Sequence, residues 1–360
     1  MIIGGGIGGL AAAVGLHRIG WEVTVLEQSP EFGEIGAGIV LWPNALKALR
    51  SLGLADRVKE LVQPQLSGGL RTSDGRWLSR WDGSAIQART IDPAVGIHRA
   101  RLHRVLLEEL PAQALRAGVK VADLAEITAD VIVGADGIAS AVRRSLYPEH
   151  PGPAYAGATA WRGICGPHRG ADIGISWGRG TEFGIVPLED GRIYWYASKL
   201  AEPGQFVGDE RAAVLETFGD WHPPIAELIA KTETVLRHDI YYLARPLPSY
   251  VDGNVVLLGD AAHAMTPNLG QGACQALEDA AVLRAALSLH PGDLPAALAH
   301  YDRRRRPRSQ AVAKASLQAG RYLSNVSNPV AVALRNTMLR LTPTGVSIRQ
   351  MAKVSQWDPT

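Results

Sequence analysis

An apolar segment that ends in a Gly-Asp pair and runs into a glycine-rich turn is the part of this chain that points most directly to chemistry. A buried strand of this kind delivers a carboxylate at its end, and the turn opens a helix whose free N–H groups attract an electron-rich partner. By itself the pattern is typical of any α/β nucleotide site. Its residues are 255–258, Gly259, Asp260, Pro267, Gly270, Gln271 and Gly272.

A second glycine cluster, Gly4, Gly6 and Gly9, follows a short apolar stub at the start of the chain. This spacing permits a tight turn, close approach of the backbone to a pyrophosphate, and packing of the next helix on a sheet. A strand over residues 23–26 then places Glu27 about 20 residues on, where an acid accepts ribose hydroxyls and disfavours a 2′-phosphate. One long dinucleotide held by both ends of the chain is therefore predicted, and FAD fits. The stub is short, so we expect further residues before Met1 in the complete protein.

A third apolar run, residues 130–134, ends in Asp136 and Gly137. One interpretation is a strand-to-helix turn in which Asp136 caps the following helix. The other interpretation, a nucleotide contact, depends on the presence of the two glycine motifs on either side of it in the sequence.

A glycine fingerprint, an Asp-Gly motif and a distal Gly-Asp motif, in this order, resemble the class A (single-component) FAD-dependent aromatic monooxygenases of the para-hydroxybenzoate hydroxylase fold. Further segments resemble the branch of salicylate hydroxylase, urate hydroxylase and zeaxanthin epoxidase. These segments are Gly36-Ala37-Gly38-Ile39, Trp42-Pro43-Asn44-Ala45-Leu46, Tyr155-Ala156-Gly157, Trp161-Arg162-Gly163 and the turn from Pro267 to Gly272.

The resemblance covers nearly the whole chain and implies an α/β (α+β) fold. It comprises a Rossmann-like FAD-binding domain of the GR2 type, an interleaved and mostly antiparallel β-sheet substrate domain, and C-terminal helices. Turn and strand patterns place the discontinuous FAD-binding domain at residues 1–66, 91–148 and 241–360. The substrate domain takes residues 67–90 and 149–240.

The resemblance also implies a set of FAD contacts. Glu27 would bind the adenosine ribose, Arg99 would contact FAD from a helix start, and Asp136 is associated with both FAD and NAD(P)H. Asp260 would hold ribityl or ribose hydroxyls. The turn would lie along the isoalloxazine, where a helix N-terminus stabilises the negative charge at N1 of reduced flavin. The other implied cofactor contacts are Gly4, Gly6, Gly9, Gly38, Pro267, Gly270, Gln271 and Gly272.

Substrate contacts are harder to predict. Period-two alternation over residues 192–198 puts Tyr194 and Tyr196 on one face and Trp195 on the other, without indicating which face looks at the flavin. By resemblance we expect Tyr194, Arg162 and Pro267 to be the catalytic residues, with core or edge packing as the alternative for the first two. Trp195 and Trp161 are expected in the core.

Two departures from the family pattern stand out. Residues 119–129 are far fewer than the β-meander that the family usually inserts before its Asp-Gly strand, so either the meander is trimmed or residues are missing there. The urate-oxidising members place an arginine before the strand that begins the Gly-Ile-Val-Pro segment, whereas Glu182 stands at about that position here, which argues against urate.

Polar residues outside the motifs favour structural roles. We expect His263 to make a structural hydrogen bond, and Glu278 and Asp279 to be helix-surface groups or to support the site from behind. The basic block of residues 303–306 is predicted to be a solvated helix face. The apolar stretch of residues 330–341 is expected to pack on the FAD-binding domain or a second subunit, with attachment to a membrane surface as the alternative.

Bulk composition excludes several classes. The chain has 360 residues, 37 basic and 35 acidic, so no nucleic acid partner is implied. Cys165 and Cys274 lack the spacing of a metal site or disulfide framework, which fits a reducing cytoplasm. Residues 1–16 lack a basic flank and are not a signal peptide. No segment reaches the ~18 uninterrupted apolar residues of a membrane span.

The sequence thus predicts a cytoplasmic monooxygenase, a monomer or homodimer, that contains FAD and no metal. NADH or NADPH would reduce the flavin transiently. O2 would add at C4a, and the hydroperoxide would hydroxylate or epoxidise a small aromatic, polycyclic or otherwise electron-rich molecule. The alternative is a flavin-dependent reductase or dehydrogenase on the same fold. A halogenase is disfavoured because no Trp-x-Trp-x-Ile-Pro segment occurs, and a non-enzymatic FAD-binding regulator is a third option.

Overall fold

The short β-strands of this chain follow its apolar runs, and they pair into three sheets. The computed structural model describes residues 1–33, 37–64, 68–81, 94–168, 173–205, 208–343 and 355–359. The strands in these ranges are β1 (Ile2–Ile3), β2 (Val25–Leu26), β3 (Gly38–Leu41), β4 (Gln63–Pro64), β5 (Gly68–Thr72), β6 (Trp77–Trp81), β7 (Val95–His98), β8 (Leu115–Arg116), β9 (Ile132–Gly134), β10 (Ala154–Cys165), β11 (Ile173–Trp177), β12 (Thr181–Pro187), β13 (Ile193–Leu200), β14 (Thr232–Tyr242), β15 (Val251–Asp252) and β16 (Val255–Leu257).

Helices alternate with the strands at both ends of the chain and dominate its last third. The α-helices in the described ranges are α1 (Ile7–Arg18), α2 (Pro43–Ser51), α3 (Ala55–Lys59), α4 (Arg99–Glu108), α5 (Ala141–Leu146), α6 (Glu210–Phe218), α7 (Ile225–Ala230), α8 (Asp260–His263), α9 (Gly272–Leu289), α10 (Leu294–Ala319) and α11 (Pro329–Leu341). A 3-10 turn, Pro267–Leu269, precedes α9, and a π-helical segment, Gly320–Ser324, continues α10.

The first sheet brings the three sequence motifs together. Its strand order is β15-β16-β9-β1-β2-β8, and β1, β2, β8, β9 and β16 run parallel. Because the carboxyl ends of parallel strands meet at one edge, Gly4, Asp136 and Asp260 come from neighbouring strand ends. The order of the motifs along the chain predicted this meeting point.

The second sheet is the antiparallel one. Its order is β14-β10-β13-β12-β11-β5-β6, and only the β5–β11 pair is parallel among the described strands. The predicted mixed α/β architecture with a mostly antiparallel sheet is confirmed. The boundaries proposed for the two domains stay predictions, and residues 82–90, assigned to the substrate domain, lie outside the described residues.

A third sheet of order β3-β7-β4 connects the two parts of the site. Its β3–β7 pairing sets Gly38 opposite His98, and the backbone N–H of Arg99 donates to the carbonyl of Ala37 at 2.9 Å. The loop residue Gly38 and the first residue of α4 are thereby held side by side. Gly36, which the sequence motif also includes, lies outside the described residues.

Two apolar cores flank the antiparallel sheet and the parallel sheet. The larger core surrounds α1 and α9 and extends from Ile2 to Tyr301. The smaller one packs Trp161 and Trp195, both 0% exposed, against α6 and α7. The expectation that these two tryptophans belong to the core is confirmed, and their face of the sheet is therefore turned away from the parallel sheet.

The stretch of residues 119–129 is described throughout and contains one regular element, the 3-10 turn Leu124–Glu126. A short connection therefore leads to β9 at the position where the family pattern has a meander. This agrees with the shortness of the segment in the sequence.

Helix α11 packs on β6 of the antiparallel sheet, so the expected packing on the FAD-binding domain is wrong, and the alternative of packing on a second subunit stays a prediction. Its buried Arg335 donates to the carbonyl of Gly178 at 3.2 Å and lies over the Trp177 ring. Its outer face leaves Val330 and Leu334 77% and 70% exposed. In the part of the chain that the structure describes, no helix combines the length and apolarity needed to cross a membrane.

Candidate active site

The amino-terminal glycine loop is packed so tightly that two of its positions admit no side chain. Gly4 has φ +108°, and a Cβ there would lie 2.3 Å from the carbonyl oxygen of Ala135. A Cβ on Gly9 would lie 2.0 Å from the carbonyl oxygen of Gly4. Gly6, the N-cap of α1, has open space around it and no side-chain cap. The loop therefore closes on β9 while leaving the helix N-terminus open to a ligand.

Glu27 lies beside this loop, at the end of β2. One carboxylate oxygen accepts from the N–H of Gly5 at 2.8 Å and the other accepts from Ser29 at 2.8 Å. Partial burial raises the pKa of Glu27, but the N–H groups of Ser29 and Gly5 outweigh it and hold the pKa below its usual range. The charged form is thus stabilised, with lone pairs left for hydroxyl donors.

Asp136 has its carboxylate occupied by its own helix. It accepts from Ser140 Oγ at 2.5 Å and from the N–H groups of Ala141 and Val142 at 2.7 and 3.1 Å. The capping interpretation of this motif is therefore present in the structure. A role toward FAD or NAD(P)H would require these contacts to be shared or exchanged, and that role stays a prediction.

Arg143 is a residue whose function the sequence did not indicate. It is 1% exposed, and its guanidinium donates to the carbonyl of Ala261 at 3.0 Å and to that of Ile138 at 2.5 Å. It joins the Asp-Gly loop to the helix that begins with Asp260. The available signal was an arginine one turn into a helix that follows a carboxylate motif.

The distal turn presents polar and open positions on the same side. Asp260 is the first residue of α8 and its side chain is exposed. Gly272 begins α9, and a Cβ there would meet nothing within 4 Å. The indole nitrogen of Trp42, buried without a partner in the described part of the chain, would lie 3.1 Å from a Cβ on Gly270. An unsatisfied donor and an open helix N-terminus thus border the turn.

Behind the turn lies a buried ionic cluster. Glu278 and Asp279 are 0% exposed, so of the two alternatives for them the helix-surface one is wrong and a supporting position behind the turn is favoured. Arg305 is also 0% exposed, so the predicted solvated face is wrong for this member of the basic block. Arg305 contacts Glu278 and donates to Asp279 Oδ1 at 2.6 Å. The reason is that α10 packs along α9, which turns one arginine of the basic block inward.

His263 belongs to the same cluster. Its Nε2 lies 2.6 Å from Asp279 Oδ2, which also accepts from the N–H of Gly259 at 2.8 Å. Burial raises the pKa of Asp279, but the charges of His263 and Arg305 outweigh it and lower the pKa. The structural hydrogen bond expected for His263 is confirmed, and it ties the Gly-Asp loop to α9.

The face of the antiparallel sheet that carries Tyr194 packs on the start of β3, in the third sheet. Tyr194, 6% exposed, packs with Ala37, Val186 and Leu188. A Cβ on Gly38 would lie 2.4 Å from the Tyr194 ring, so glycine is needed at position 38 for this approach. This packing favours the Tyr194 face as the one toward the flavin, which stays a prediction.

Positive charge surrounds the Tyr194 hydroxyl. Burial raises the pKa of Tyr194, while Arg162 and Arg99 favour its ionised form. Burial lowers the pKa of His238, and the same two arginines lower it further. The Tyr194 hydroxyl is set in an apolar wall to which Val40, Ile164 and the ring of Tyr196 also belong. The arrangement can bind a small molecule with one electron-rich oxygen and an otherwise apolar body.

Pro267 and Gln271 take their positions from neighbouring elements. The 3-10 turn that begins at Pro267 is held by Ser316 of α10, whose Oγ accepts from the N–H of Leu269 at 3.2 Å. The side chain of Gln271 is 1% exposed and accepts at its amide oxygen from Asn44 at 3.0 Å. The sequence indicated neither support.

The comparisons with known proteins agree with this geometry. A family model described as "FAD binding domain" matches residues 1–122 and 112–316. The Aurachin C monooxygenase/isomerase of Stigmatella aurantiaca is 39% identical over 95% of this chain and 93% of its own length. The 2-heptyl-3-hydroxy-4(1H)-quinolone synthase of Pseudomonas aeruginosa is 35% identical over 95% of this chain and 94% of its own.

A solved structure, Klebsiella pneumoniae HpxO complexed with FAD and uric acid, superposes with a TM-score of 0.89 at 28% identity. It covers 98% of this chain and 96% of that one. The chain therefore belongs to the FAD-binding-domain family and is a class A flavin monooxygenase. Within that class it belongs to the salicylate and urate hydroxylase branch that its motifs resemble.

Proposed function

We propose that this monooxygenase inserts one atom of O2 into a 2-alkyl-4-quinolone ring, with NADH or NADPH as the electron donor. The observation that carries the proposal is the buried Tyr194, whose ionised form Arg162 and Arg99 favour and which is set in an apolar wall. A relative of 35% identity is named for a 3-hydroxy-4(1H)-quinolone product, which supports the choice of ring.

FAD would lie between the two glycine motifs. The open N-terminus of α1 at Gly6 suits its pyrophosphate, and Glu27 suits the adenosine ribose. The exposed carboxylate of Asp260 is available to ribityl hydroxyls. The turn from Pro267 to Gly272, with its unsatisfied indole donor from Trp42, suits the isoalloxazine. When bound, FAD supplies the two-electron redox chemistry and the activation of O2.

Tyr194 and Arg162 would hold the 4-oxygen of the ring. A hydrogen bond from the Tyr194 hydroxyl and the adjacent positive charges stabilise negative charge on that oxygen and so favour release of the ring N–H proton to water as the substrate binds. The resulting anion has more electron density at C3 and takes the proton back when the product forms. The chain thus orients C3 toward the flavin and raises its nucleophilicity. In the balanced reaction, C3–H becomes C3–OH, the second oxygen atom leaves as water, and NAD(P)H and one proton are consumed.

Apolar residues around this polar group have a second task. Val40, Ile164, Val186 and Leu188 line the wall between the Tyr194 face and the parallel sheet. They can accommodate the alkyl chain and exclude water from the reacting flavin. Water there would cause the activated oxygen to leave as hydrogen peroxide instead of being transferred to the substrate.

The experiment measures NADH and NADPH oxidation in air by the FAD-loaded protein with 2-heptyl-4-quinolone, salicylate or urate. Strong stimulation by the quinolone alone, with one labelled oxygen in the product under isotopically labelled O2, supports the proposal. Stimulation by urate or salicylate alone rejects the substrate class. A product changed by two hydrogens without added oxygen would instead support a reductase or dehydrogenase.

We expect Tyr194→Phe to raise KM for the quinolone and lower kcat/KM by roughly tenfold to a hundredfold, the effect of losing one hydrogen bond to a charged oxygen. Steady-state kinetics with FAD-saturated protein check this. The matched control is Tyr196→Phe, two residues further along the same face of the strand, which should have the smaller effect. Equal kcat/KM for Tyr194→Phe and wild type would remove Tyr194 from the substrate contact.

A further inference from the structure

Four buried polar side chains form a hydrogen-bonded network with the amide of Gln271, the residue that precedes α9 in the turn proposed to face the flavin. Asn44, Gln275 and Glu278 are each 0% exposed, and Arg305 joins them at 0% exposure. Asn44 comes from α2, far away in the sequence. We name Asn44, Gln271, Gln275, Glu278 and Arg305 the amide cluster.

Charged members determine which way the amides of the cluster point. The carboxylate of Glu278 can only accept, and it accepts from Asn44 Nδ2 at 2.7 Å and from Gln275 Nε2 at 3.0 Å. The guanidinium of Arg305 can only donate, and it donates to Gln275 Oε1 at 2.8 Å. Neither Asn44 nor Gln275 can therefore be flipped without setting like groups against each other.

The orientation of Gln271 follows from these two amides. The NH2 groups of Asn44 and Gln275 lie 3.0 and 3.1 Å from the Gln271 amide oxygen, so that oxygen accepts from both. Its amide nitrogen must then point the other way. Within the described residues no hydrogen bond uses that nitrogen. The atom is not fully enclosed by the protein, so it borders accessible space.

An unsatisfied atom elsewhere in the cluster indicates that this orientation is selected. The amide oxygen of Asn44 is buried without a partner in the described part of the chain. A buried acceptor left unpaired disfavours folding. Because Asn44 donates twice through its nitrogen, toward Glu278 and Gln271, the cluster retains that orientation despite the unpaired oxygen.

We propose that Asn44, Gln275, Glu278 and Arg305 are positioning residues that direct the amide N–H groups of Gln271 into the flavin site, as donors to an acceptor edge of the flavin ring. The inference rests on the proposed placement of FAD along the turn. A donor held there stabilises the negative charge that the ring gains on reduction. The cluster would therefore set the affinity for FAD and its reduction potential.

The test uses Asn44→Leu and Gln271→Glu, with Leu277→Ala as the control. Asn44→Leu removes one of the two donors that orient Gln271 while keeping a similar volume. Gln271→Glu keeps the size and the accepting oxygen but replaces the outward N–H donor by a negatively charged oxygen. Leu277, 0% exposed on the same helix, contributes only packing, so its truncation reports what destabilisation of α9 does by itself.

Three readouts are taken for each protein: the dissociation constant for FAD by fluorescence, the reduction potential of the bound flavin, and the Tm of the apo-protein. We expect Asn44→Leu to weaken FAD binding roughly fivefold to tenfold, the factor for one neutral hydrogen bond. The potential should fall in Asn44→Leu and fall further in Gln271→Glu. Leu277→Ala should lower Tm with an unchanged potential.

The proposal is overturned if Asn44→Leu and Gln271→Glu keep the wild-type potential and FAD affinity, whatever happens to their Tm. These readouts need no substrate, so failure of the quinolone proposal leaves them intact. If the wild-type protein binds FAD and the flavin potential does not respond to Gln271→Glu, the amide cluster is structural only. Should Asn44→Leu fail to fold, Gln271→Glu alone decides the outcome.

Discussion

Glu182 is the buried acid that the antiparallel sheet places beside the Tyr194 face, and its surroundings are polar but not cationic enough to ionise it readily. It accepts from the Trp177 indole at 2.7 Å and interacts with the Tyr196 hydroxyl and with Arg335. Burial dominates and raises the pKa of Glu182 to about 7. Position 182, where the urate-oxidising branch was expected to carry arginine, thus holds an acid that is readily protonated. The exclusion of urate stays a prediction.

The raised pKa predicts a specific dependence of stability on pH. The folded protein holds a proton on Glu182 between the ordinary value of 4.5 and about 7, whereas the unfolded chain does not. This contribution to stability is therefore fully present below about pH 4.5 and is lost as the pH rises to about 7. The loss amounts to roughly 3 kcal/mol over that range.

Glu182→Gln should abolish this part of the pH dependence, because glutamine keeps an accepting oxygen and does not titrate. Urea unfolding from acid to neutral pH gives the free energy of unfolding of both proteins. As the pH rises, the wild type should lose stability relative to Glu182→Gln. A constant difference across the range would mean that Glu182 titrates normally. Glu202→Gln is a control, since Glu202 is exposed on the same domain.

At the scale of elements, the start of α1 is the clearest case of one loop doing two jobs. Gly9 supports packing, since its missing Cβ lets the helix close on the carbonyl of Gly4. Gly6 is not needed for packing, since the space in front of it is open and its φ of −74° is accessible to any residue. We therefore predict that the fingerprint contains one glycine needed for packing and one needed for binding.

This division can be tested with two alanine variants. Gly9→Ala should destabilise the apo-protein by several kcal/mol, because a backbone oxygen 2.0 Å away has to move. Gly6→Ala should leave the apo-protein within about 0.5 kcal/mol of wild type but weaken FAD binding by at least roughly tenfold, because its methyl group blocks close approach of the pyrophosphate. Urea unfolding and FAD titration separate the two effects. Equal FAD affinity of Gly6→Ala and wild type would place the pyrophosphate elsewhere.

At the scale of the whole molecule, the carboxyl-terminal helices hold both motif regions in register. Helix α9 packs on α1 and α2, and α10 packs on α9 through Arg305. The first and last thirds of the chain therefore share one core, which contains residues from Ile2 to Tyr301. A ligand that spans both glycine motifs depends on this shared core.

Arg305→Met should destabilise the whole protein by roughly 3–5 kcal/mol, because two buried carboxylates, Glu278 and Asp279, lose their common partner. The matched control is Arg303→Met, at an exposed position of the same helix, which should change stability by no more than about 0.5 kcal/mol. Urea unfolding measures both. Similar stabilities for the two variants would show that other groups neutralise Glu278 and Asp279 when Arg305 is removed.

Local patterns were enough to predict the chemistry-bearing framework. Glycines at fixed spacing, an acid at a strand end and apolar runs of strand length act through neighbours within a few residues. The dinucleotide site followed from them, and the mixed fold and the FAD-dependent class followed from the family resemblance that these motifs carry. The core positions of Trp161 and Trp195 were expected because large apolar side chains are usually buried.

Contacts between elements distant in the sequence decided the rest. Alternation along β13 places Tyr194 and Trp195 on opposite faces, but only the tertiary structure shows that Trp195 packs on α6 and α7 and Tyr194 on Ala37. A run of four arginines predicts a solvated face, yet the pairing of α10 with α9 buries Arg305. Side-chain burial depends on which surfaces meet, and that is determined by the whole chain. The direction of the Gln271 amide, which depends on Asn44 more than two hundred residues away, is the extreme case.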